Sequence, residues 1–331
     1  MKEILYTDAI SEAIAEEMRR DEKVFLMGED VGLHGNVFGC CKGLFREFGA
    51  ERVRNTPISE SAIVGTGMGA AITGMRPVVE LMFVDFALCA MDQIVNQVAK
   101  VKYMFGGKAK VPLTIRTQQG AYLQNAAQHS QSLEAFFMHV PGLKVVMPST
   151  PYDVKGLLKT AIRDDNPVIF LEHKGLYGMK QKIPDEEYLI PFGKADIKRE
   201  GNDVTIIATS KMVHMSLDAS RVLEKEGISA EVIDPRTLVP LDKETIIKSV
   251  MKTGKAVVVH EAHKVCGTGA EIAAMIMEEA FRYLDAPVIR VGAKQVTIPY
   301  SRTLENACLP QVEDIIAAVK TTLGYKGGFM P

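Results

Sequence analysis

Glu60 is a carboxylate whose surroundings suit acid–base chemistry. Pro57 and Ile58 precede it closely, and a carboxylate in apolar surroundings has a raised pKa and can hold a proton. Glu60 also has a purely structural explanation. Ser59 is a plausible helix N-cap, and Glu60 is then a first-turn carboxylate facing the helix dipole, an interaction worth roughly a few tenths of a kcal/mol. The residue types alone leave both explanations open.

His129 is a second candidate for acid–base chemistry. It follows a long polar loop, residues 117–128, and loops of that length are often functional. An imidazole titrates near neutral pH, so a histidine at the mouth of a site can act as a general acid or base. The structural alternative is a side chain in the cap region of the next helix, which Ser130 or Ser132 can cap.

The glycine-rich segment Gly65–Gly74 resembles a dinucleotide fingerprint only superficially. That fingerprint needs its glycines at the turn between a strand and a helix, but no apolar strand directly precedes Gly65. We predict instead that a helix begins at Ser59 and contains the glycines. Each helical glycine costs on the order of 1 kcal/mol relative to alanine, and close approach of another backbone is the expected compensation. The pattern favours helix–helix packing, including packing across a subunit interface, over phosphate binding.

Several motifs that bind phosphates or metals are missing from the sequence. It contains no Walker A motif, no G-D-G followed by paired asparagines, and no clear cluster of metal ligands. Either the cofactor carries no phosphate, or another chain supplies the phosphate-binding part.

Strands and helices alternate along both halves of the chain, which indicates an α/β protein with two parallel-sheet domains. The predicted strands cover residues 23–28, 76–83, 111–116, 143–147, 167–172, 204–209, 228–234, 256–260 and 288–291. The predicted helices cover residues 87–101, 152–163, 213–226, 270–284 and 312–323, and the first helix starts near Thr7 or Asp8. Open α/β sheets bind ligands beyond the carboxyl ends of their strands, so chemistry is expected in the loops after Arg54, Phe83, Arg116 and Glu172.

A polar stretch divides the two halves. Residues 178–202 contain two prolines, three glycines and many charges, which is typical of a linker. We place the domain boundary near residue 190, which gives domains of residues 1–190 and 191–331. The tail 324–331 is expected to be a loose end.

Composition excludes several classes of function. The 331 residues are 47% hydrophobic and 24% charged, and the net charge is −2. This balance excludes a disordered chain and offers no overall charge for binding nucleic acid or an anionic membrane. Four lysines, Lys100, Lys102, Lys108 and Lys110, form a basic cluster that we interpret as a solvated face.

The cysteines and the amino terminus indicate the compartment. The five cysteines include no C-x-x-C pair, so neither a disulfide framework nor a zinc site is expected. No apolar run of about 18 residues is present, and the acidic amphipathic start does not resemble a signal or transit peptide. We therefore expect a cytoplasmic protein without a membrane span.

Several long motifs together carry a family resemblance that covers nearly the whole chain. These motifs are Asn55–Glu60, Gln128–Gln131, Pro141–Asp153, Ala161–Pro167 and Asp234–Asp242. In order and spacing they resemble the β subunit of the thiamine-diphosphate-dependent E1 component of 2-oxo acid dehydrogenase complexes. The resemblance implies a pyrimidine-binding domain followed by a transketolase C-terminal domain.

The resemblance also implies roles for four side chains. Glu60 would hydrogen-bond N1′ of the aminopyrimidine ring and thereby promote loss of the thiazolium C2 proton. His129 would lie at the active-site funnel, where it orients or protonates intermediates during acyl transfer to lipoamide. Phe86 would pack on the pyrimidine ring. Cys89 stands where pyruvate-type members often carry glutamine, so a polar contact from that position is not assured.

Metals and partners follow from the same resemblance. The diphosphate and its Mg²⁺ would be held by a partner α subunit, in an α2β2 heterotetramer that delivers its acyl group to a lipoyl acyltransferase, E2. A monovalent cation, usually K⁺ in the family, would be bound largely by backbone carbonyls, and the matching residues here are Leu113, Ala161, Ile162, Asp164 and Asn166.

The sequence identifies the substrate less specifically than it identifies the family. The segments 103–108 and 172–179 resemble the acetoin dehydrogenase branch, while the loop 118–125 is bulkier and more polar than in many members. Acetoin, pyruvate and branched-chain 2-oxo acids all stay possible substrates. Two other functions remain as alternatives: a non-catalytic docking subunit, and a self-sufficient nucleotide-dependent oxidoreductase. Binding of thiamine diphosphate or NAD to the isolated chain would separate the latter from an E1 β subunit.

Overall fold

A computed structural model describes residues 1–325 of the chain. In this range the strands are β1 Lys2–Leu5, β2 Val24–Gly28, β3 Val53–Asn55, β4 Arg76–Leu81, β5 Thr114–Gln119, β6 Lys144–Val146, β7 Val168–His173, β8 Lys180–Ile183, β9 Asp196–Arg199, β10 Val204–Ala208, β11 Ala230–Asp234, β12 Thr237–Val239, β13 Ala256–His263 and β14 Ile289–Ala293. The α-helices are α1 Tyr6–Arg20, α2 Leu44–Arg52, α3 Glu60–Ile72, α4 Val101–Met104, α5 Glu134–Met138, α6 Pro151–Arg163, α7 Lys211–Lys225, α8 Lys243–Thr253, α9 Thr268–Ala280, α10 Arg302–Cys308 and α11 Val312–Leu323.

The chain forms two compact units. The first contains residues 1–120, 136–192 and 238–240, and the second contains residues 121–135, 193–237 and the described residues from 241 onward. The loop 121–135 therefore packs with the second unit, whereas the predicted division at residue 190 assigned it to the first. Its hydrogen bonds to glutamates of the second unit account for this placement, which periodicity along the chain cannot reveal.

A seven-stranded sheet forms the centre of the first unit. The strand order is β12-β6-β7-β5-β4-β2-β3, and the pairs from β6 through β3 are parallel. Strands β2, β5 and β7 are buried along their whole length. Strands covered on both faces favour apolar residues on both, as in β2 and in Val168–Leu171 of β7, whereas five of the six residues of β5 are polar.

The second unit has a five-stranded sheet of order β14-β13-β10-β11-β9. The pairs from β14 to β11 are parallel, and only the edge strand β9 runs antiparallel to its neighbour β11. The prediction of parallel α/β sheets in both halves is confirmed. Helices α7 and α11 pack against strands on one side of this unit, and α8 and α9 contribute to a second buried apolar cluster.

The predicted helix over residues 87–101 is wrong in its form. The segment contains a 3₁₀-helix over Val84–Ala90 and a π-helix over Asp92–Val98, followed by the short α4. Its apolar residues Ala87, Ile94, Val98 and Val101 are nevertheless buried, as the spacing requires. Spacings of three and four residues identify the buried face but do not distinguish α, 3₁₀ and π backbones.

The predicted linker 178–202 is partly a sheet. Strand β8 pairs antiparallel with β1, and β9 pairs antiparallel with β11. Both are short and rich in charges, which edge strands tolerate because one side faces solvent. Of the tail predicted to be loose, only Gly324 and Tyr325 are described, and the remainder lies outside the described residues.

Candidate functional site

Glu60 is the first residue of α3, which follows β3 at the carboxyl end of the first unit's sheet. Its side chain is buried, with 9% of the residue exposed. Ser59 occupies the N-cap position, as predicted, but its side chain makes no capping hydrogen bond. Ser61 instead donates its Oγ proton to the Cys89 carbonyl at 2.5 Å. This bond ties the first turn of α3 to the segment that carries Phe86.

Glu29 is a second carboxylate at this edge of the sheet, and sequence analysis did not identify it. It follows β2, the strand next to β3. Its Oε1 is buried and has no hydrogen-bond partner within residues 1–325. Burial raises the pKa of Glu29, and the charges of Glu60, Asp30 and Glu80 raise it further. The negative charges around Glu29 therefore favour its protonated form relative to a carboxyl group in water.

The sequence did contain a signal for Glu29. The residue directly follows Gly28, the last residue of a strand that was predicted correctly to be buried. The rule that ligands bind beyond the carboxyl ends of parallel strands therefore points to Glu29 as well as to the loop after Arg54.

The glycines of α3 lie inside the helix, as predicted, and not in a phosphate-binding turn. Gly67 faces the sheet, where an added Cβ would lie 2.7 Å from a Val79 methyl and 3.1 Å from a Leu113 methyl. Gly69 faces away, and a Cβ there would meet no other described atom within 4 Å. Only Gly67 is thus explained by close packing within the chain itself.

Phe86 and Cys89 lie on the 3₁₀-helix after β4. The Phe86 ring is half-buried and contacts Phe83 edge to face, with ring centroids 6.0 Å apart. Phe83 in turn packs against Phe38 at 5.7 Å. These aromatic contacts fix the position of Phe86 on one side. Cys89 is exposed, and its backbone carbonyl accepts the hydrogen bond from Ser61.

The sequence predicted loops directly after Arg116 and Glu172, but neither residue precedes a loop in the structure. Strands β5 and β7 continue beyond them to Gln119 and His173, so both side chains lie inside the sheet. Arg116 is fully buried and donates to both Glu172 oxygens at 2.8 Å, and it also pairs with Glu80. Removing one partner of such a buried group costs about 3–5 kcal/mol, because an unpaired charge is left behind. The cluster of Arg116, Glu172 and Glu80 is part of the buried structure of the sheet.

The predicted cation-binding residues lie together around the carboxyl end of α6. The carbonyls of Ile162 and Asp164 accept hydrogen bonds from Arg76 at 3.1 and 3.2 Å. The Ala161 carbonyl accepts from the Asp164 amide, and the Leu113 carbonyl accepts from the Val168 amide. Carbonyl oxygens have two lone pairs and can bind a cation besides accepting these bonds, but a cation here would share the loop with a guanidinium.

Side chains of this loop are also engaged. Asp164 accepts from both nitrogens of Asn166 at 2.8 Å and pairs with Lys144. Asn166 accepts from Lys102 at 2.5 Å, and Lys110 pairs with Asp165 at 2.7 Å. Lys100 also donates to the Pro141 carbonyl at 2.9 Å, so three lysines of the cluster interpreted as a solvated face have specific partners. Among the described residues, no group of three or more His, Cys, Asp or Glu side chains is arranged to hold a metal ion.

His129 is half-buried and lies in the loop that belongs to the second unit, whereas Glu60 belongs to the first. The helix after it, α5, begins at Glu134, so neither Ser130 nor Ser132 adjoins its first residue. Ser132 instead donates to Glu261 at 3.4 Å, and the buried Ser130 hydroxyl has no partner in the described part of the chain. The expectation that a serine caps this helix is therefore wrong.

Helices long and apolar enough to cross a bilayer do not occur within residues 1–325.

Comparison with known families matches both halves of the chain. Residues 2–180 match the transketolase pyrimidine-binding domain, and residues 193–315 match the transketolase C-terminal domain. A solved structure, a split-gene transketolase described as an inactive β4 tetramer, superposes with a TM-score of 0.82 at 24% identity over 97% of this chain and 98% of that one. At that identity the likeness shows the fold alone.

Curated relatives are similar over nearly their whole length. The β subunit of acetoin:2,6-dichlorophenolindophenol oxidoreductase from Bacillus subtilis is 48% identical, with 97% of each chain covered. The β subunit of 2-oxoisovalerate dehydrogenase from the same organism is 47% identical, covering 97% of this chain and 98% of the relative. The pyruvate dehydrogenase E1 β subunit of Rickettsia felis is 49% identical, covering 98% and 99%. The chain belongs to the E1 β-subunit family of thiamine-diphosphate-dependent dehydrogenases, as the resemblance in its sequence indicated.

Proposed function

We propose that this chain, together with an α subunit, cleaves acetoin or decarboxylates a 2-oxo acid and passes the acyl unit to the lipoyl group of an E2 acyltransferase. The observation that carries the proposal is the buried Glu60 at the start of α3, beside a second carboxylate with a raised pKa, in a chain of the E1 β family. If Glu60 only interacted with the helix dipole, its carboxylate would be expected at the surface and not buried near a second carboxylate.

The residues of the first unit fit the pyrimidine half of thiamine diphosphate. When bound, this cofactor supplies a carbanion at C2 that attacks the substrate carbonyl. Glu60 is suited to hydrogen-bond a ring nitrogen, because its carboxyl group is buried at the start of α3, beside Glu29. Phe86 offers an aromatic surface fixed by Phe83, and the exposed Cys89 gives no amide contact.

The diphosphate and its Mg²⁺ are assigned to the α subunit. Gly65, Gly67 and Gly69 lie inside α3, so their amides are engaged in the helix and do not form a phosphate cradle. A self-sufficient nucleotide-dependent oxidoreductase would need a glycine-rich turn between a strand and a helix, and these glycines do not provide one.

K⁺ remains a proposal for the carbonyls around Leu113, Ala161, Ile162, Asp164 and Asn166. Support comes from their convergence at one end of α6 and from the free lone pairs of carbonyls that already accept one bond. A cytoplasmic location is supported by five cysteines that form no disulfide.

His129 is proposed to move a proton during acyl transfer. It lies half-buried in a loop that is not explained by helix capping, and its imidazole suits proton transfer near neutral pH. Acetoin is the favoured substrate because segments 103–108 and 172–179 resemble that branch, although the three relatives above are equally similar overall.

The test is reconstitution of the chain with the α subunit encoded beside it. The complex is assayed with acetoin, pyruvate and 3-methyl-2-oxobutanoate, with thiamine diphosphate, Mg²⁺ and a lipoyl acceptor. We expect turnover of at least one substrate, acetoin fastest, and none by either chain alone. A complex that binds thiamine diphosphate but turns over none of the three would refute the proposed reaction and favour a docking subunit.

A further inference from the structure

One carboxylate closes the base of the loop that carries His129. Glu261 Oε1 accepts a hydrogen bond from the Ala121 amide at 2.6 Å and from the Ser132 hydroxyl at 3.4 Å. Glu261 lies in β13, the second strand of its sheet, and only 7% of it is exposed. Since Ala121 and Ser132 lie on either side of His129 in sequence, a single rigid residue ties both ends of the loop.

A second buried carboxylate holds the middle of the same loop. Glu305 of α10 accepts from the Gln124 amide with both oxygens, at 3.2 and 3.3 Å, and only 1% of Glu305 is exposed. The Tyr122 hydroxyl adds a bond of 2.7 Å to the Pro310 carbonyl. Bonds from amides to charged carboxylates are among the stronger hydrogen bonds in proteins.

The loop needs such restraint because its backbone is strained. Tyr122, Gln124 and Ala126 have φ values of 67°, 58° and 58°, in the left-handed region that residues with a Cβ avoid. Three alternating residues of this kind persist only where surrounding contacts impose the conformation, and such strain is concentrated at functional sites. The two carboxylates bind the amides at and beside these strained residues.

Lys211 balances the charge of the two carboxylates. Its Nζ lies 4.6 Å from the centre of the Tyr122 ring, so it also packs on the loop. Burial lowers the pKa of Lys211, and the charges of Glu261 and Glu305 oppose that shift. Both glutamates therefore act on the same cation, and the loop lies against all three groups.

We propose that Glu261 and Glu305 are positioning residues that hold residues 121–132 in the strained conformation that presents His129. This inference rests on the proposed function, in which His129 transfers a proton during acyl transfer. The glutamates have no contact with the reacting atoms in this role, and they act only through the loop.

The first experiment measures amide hydrogen exchange in the complete αβ complex. We expect Glu261→Ala to speed exchange about 10-fold or more in peptides within 121–135 and to leave the rest of the chain unchanged, because the loop opens locally. Glu261→Gln keeps a neutral acceptor and should give an intermediate effect. The matched control is Glu271→Ala, which removes an exposed carboxylate of the same unit and should change nothing in this loop.

The second experiment separates steps of the reaction. Glu261→Ala should lower kcat with the lipoyl acceptor by about 10- to 100-fold, since misplacing a proton donor by about 1 Å has effects of that size. The rate with an artificial electron acceptor, which bypasses lipoyl transfer, should change little. The double variant with Glu261→Ala and His129→Ala should lose almost no more turnover than His129→Ala alone, because both changes remove the same contribution.

Unchanged exchange in residues 121–135 of Glu261→Ala would overturn the proposal, as would losses that add in full in the double variant. If Glu261→Ala does not fold, Glu261→Gln and Ser132→Ala provide the same two readouts. A complex inactive with every substrate would refute the proposed function, while the exchange result would still decide whether the glutamates hold the loop.

Discussion

At the scale of single residues, Glu60 and Glu29 are the two carboxylates that follow neighbouring strands of the first unit's sheet. Glu60 is buried, and burial together with the charge of Glu60 raises the pKa of Glu29. The proposed role of Glu60 toward the cofactor depends on this pair.

Glu60→Gln tests this arrangement directly. Glutamine keeps the size of the side chain but cannot exchange a proton, so we expect C2–H/D exchange on bound thiamine diphosphate to slow by about 10²- to 10⁴-fold. Quenched NMR on the reconstituted complex measures the rate, with circular dichroism as a folding control. Glu22→Gln, an exposed glutamate of the same unit, serves as the matched control. Exchange at the parent rate would remove Glu60 from the mechanism.

His129→Ala tests the second site residue. We expect cofactor binding to be retained and turnover with the lipoyl acceptor to fall by about 10²- to 10⁴-fold, the usual contribution of a positioned acid or base. Steady-state kinetics and a thiamine diphosphate titration give the two quantities. His139→Ala removes an exposed histidine nearby in sequence and should leave turnover unchanged. Activity within a few-fold of the parent would mean that His129 only stabilises its loop.

At the scale of elements, β13 contributes an unusual buried histidine. His260 is fully buried, and no side chain of the described residues hydrogen-bonds its ring. Glycines surround it: a Cβ added at Gly267, Gly269 or Gly292 would lie 2.4, 2.6 or 3.0 Å from the ring. Burial, with help from the Arg290 and Lys264 charges, lowers the pKa of His260 from 6.5 to about 4, while the Ala262 backbone opposes the shift. The ring is therefore neutral in the folded protein.

This neutral ring predicts a loss of stability in acid. Because the folded pKa is lower than the unfolded one, the unfolded chain binds the proton first, so stability is complete above pH 6.5 and falls down to about pH 4. The total loss is about 3 kcal/mol for this one group. His260→Phe keeps a ring but cannot titrate, so its stability should fall less steeply in this window. Urea unfolding of both proteins from pH 7 to 4 measures the difference, and parallel curves would contradict the prediction.

At the scale of the whole molecule, the glycine helix α3 indicates an assembly surface. Gly69 points away from the chain's own core, and two large apolar residues near it in sequence, Ile72 and Met75, are exposed. Glycine in a helix without an internal packing reason, beside exposed apolar side chains, is typical of a surface that another chain covers. The family's α2β2 assembly would provide that cover.

The prediction is that the isolated chain dimerises or aggregates and that the α subunit converts it to an α2β2 tetramer, measured by light scattering over a range of concentrations. Gly69→Ala should raise the stability of the isolated chain by about 0.5–1 kcal/mol and weaken assembly by about 10-fold, since overpacking an interface costs about 1–3 kcal/mol. Gly67→Ala should instead lower the stability of the isolated chain, because Val79 and Leu113 leave no room for an added Cβ. A stable monodisperse monomer would count against the prediction.

The alternation of buried strands and helices, the glycine helix and the order of the family motifs all follow from the sequence alone, because each depends on residues close together in the chain. The predictions for Glu60 and His129 as site residues also come from the sequence. The tertiary structure decided what depends on distant residues: the burial of Arg116 and Glu172 within the sheet, the Glu29 charge beside Glu60, and the attachment of loop 121–135 to Glu261 and Glu305. Hydrogen bonds spanning 140 residues, such as that from Ala121 to Glu261, leave no periodic signal in a sequence, since neither partner changes the pattern around the other.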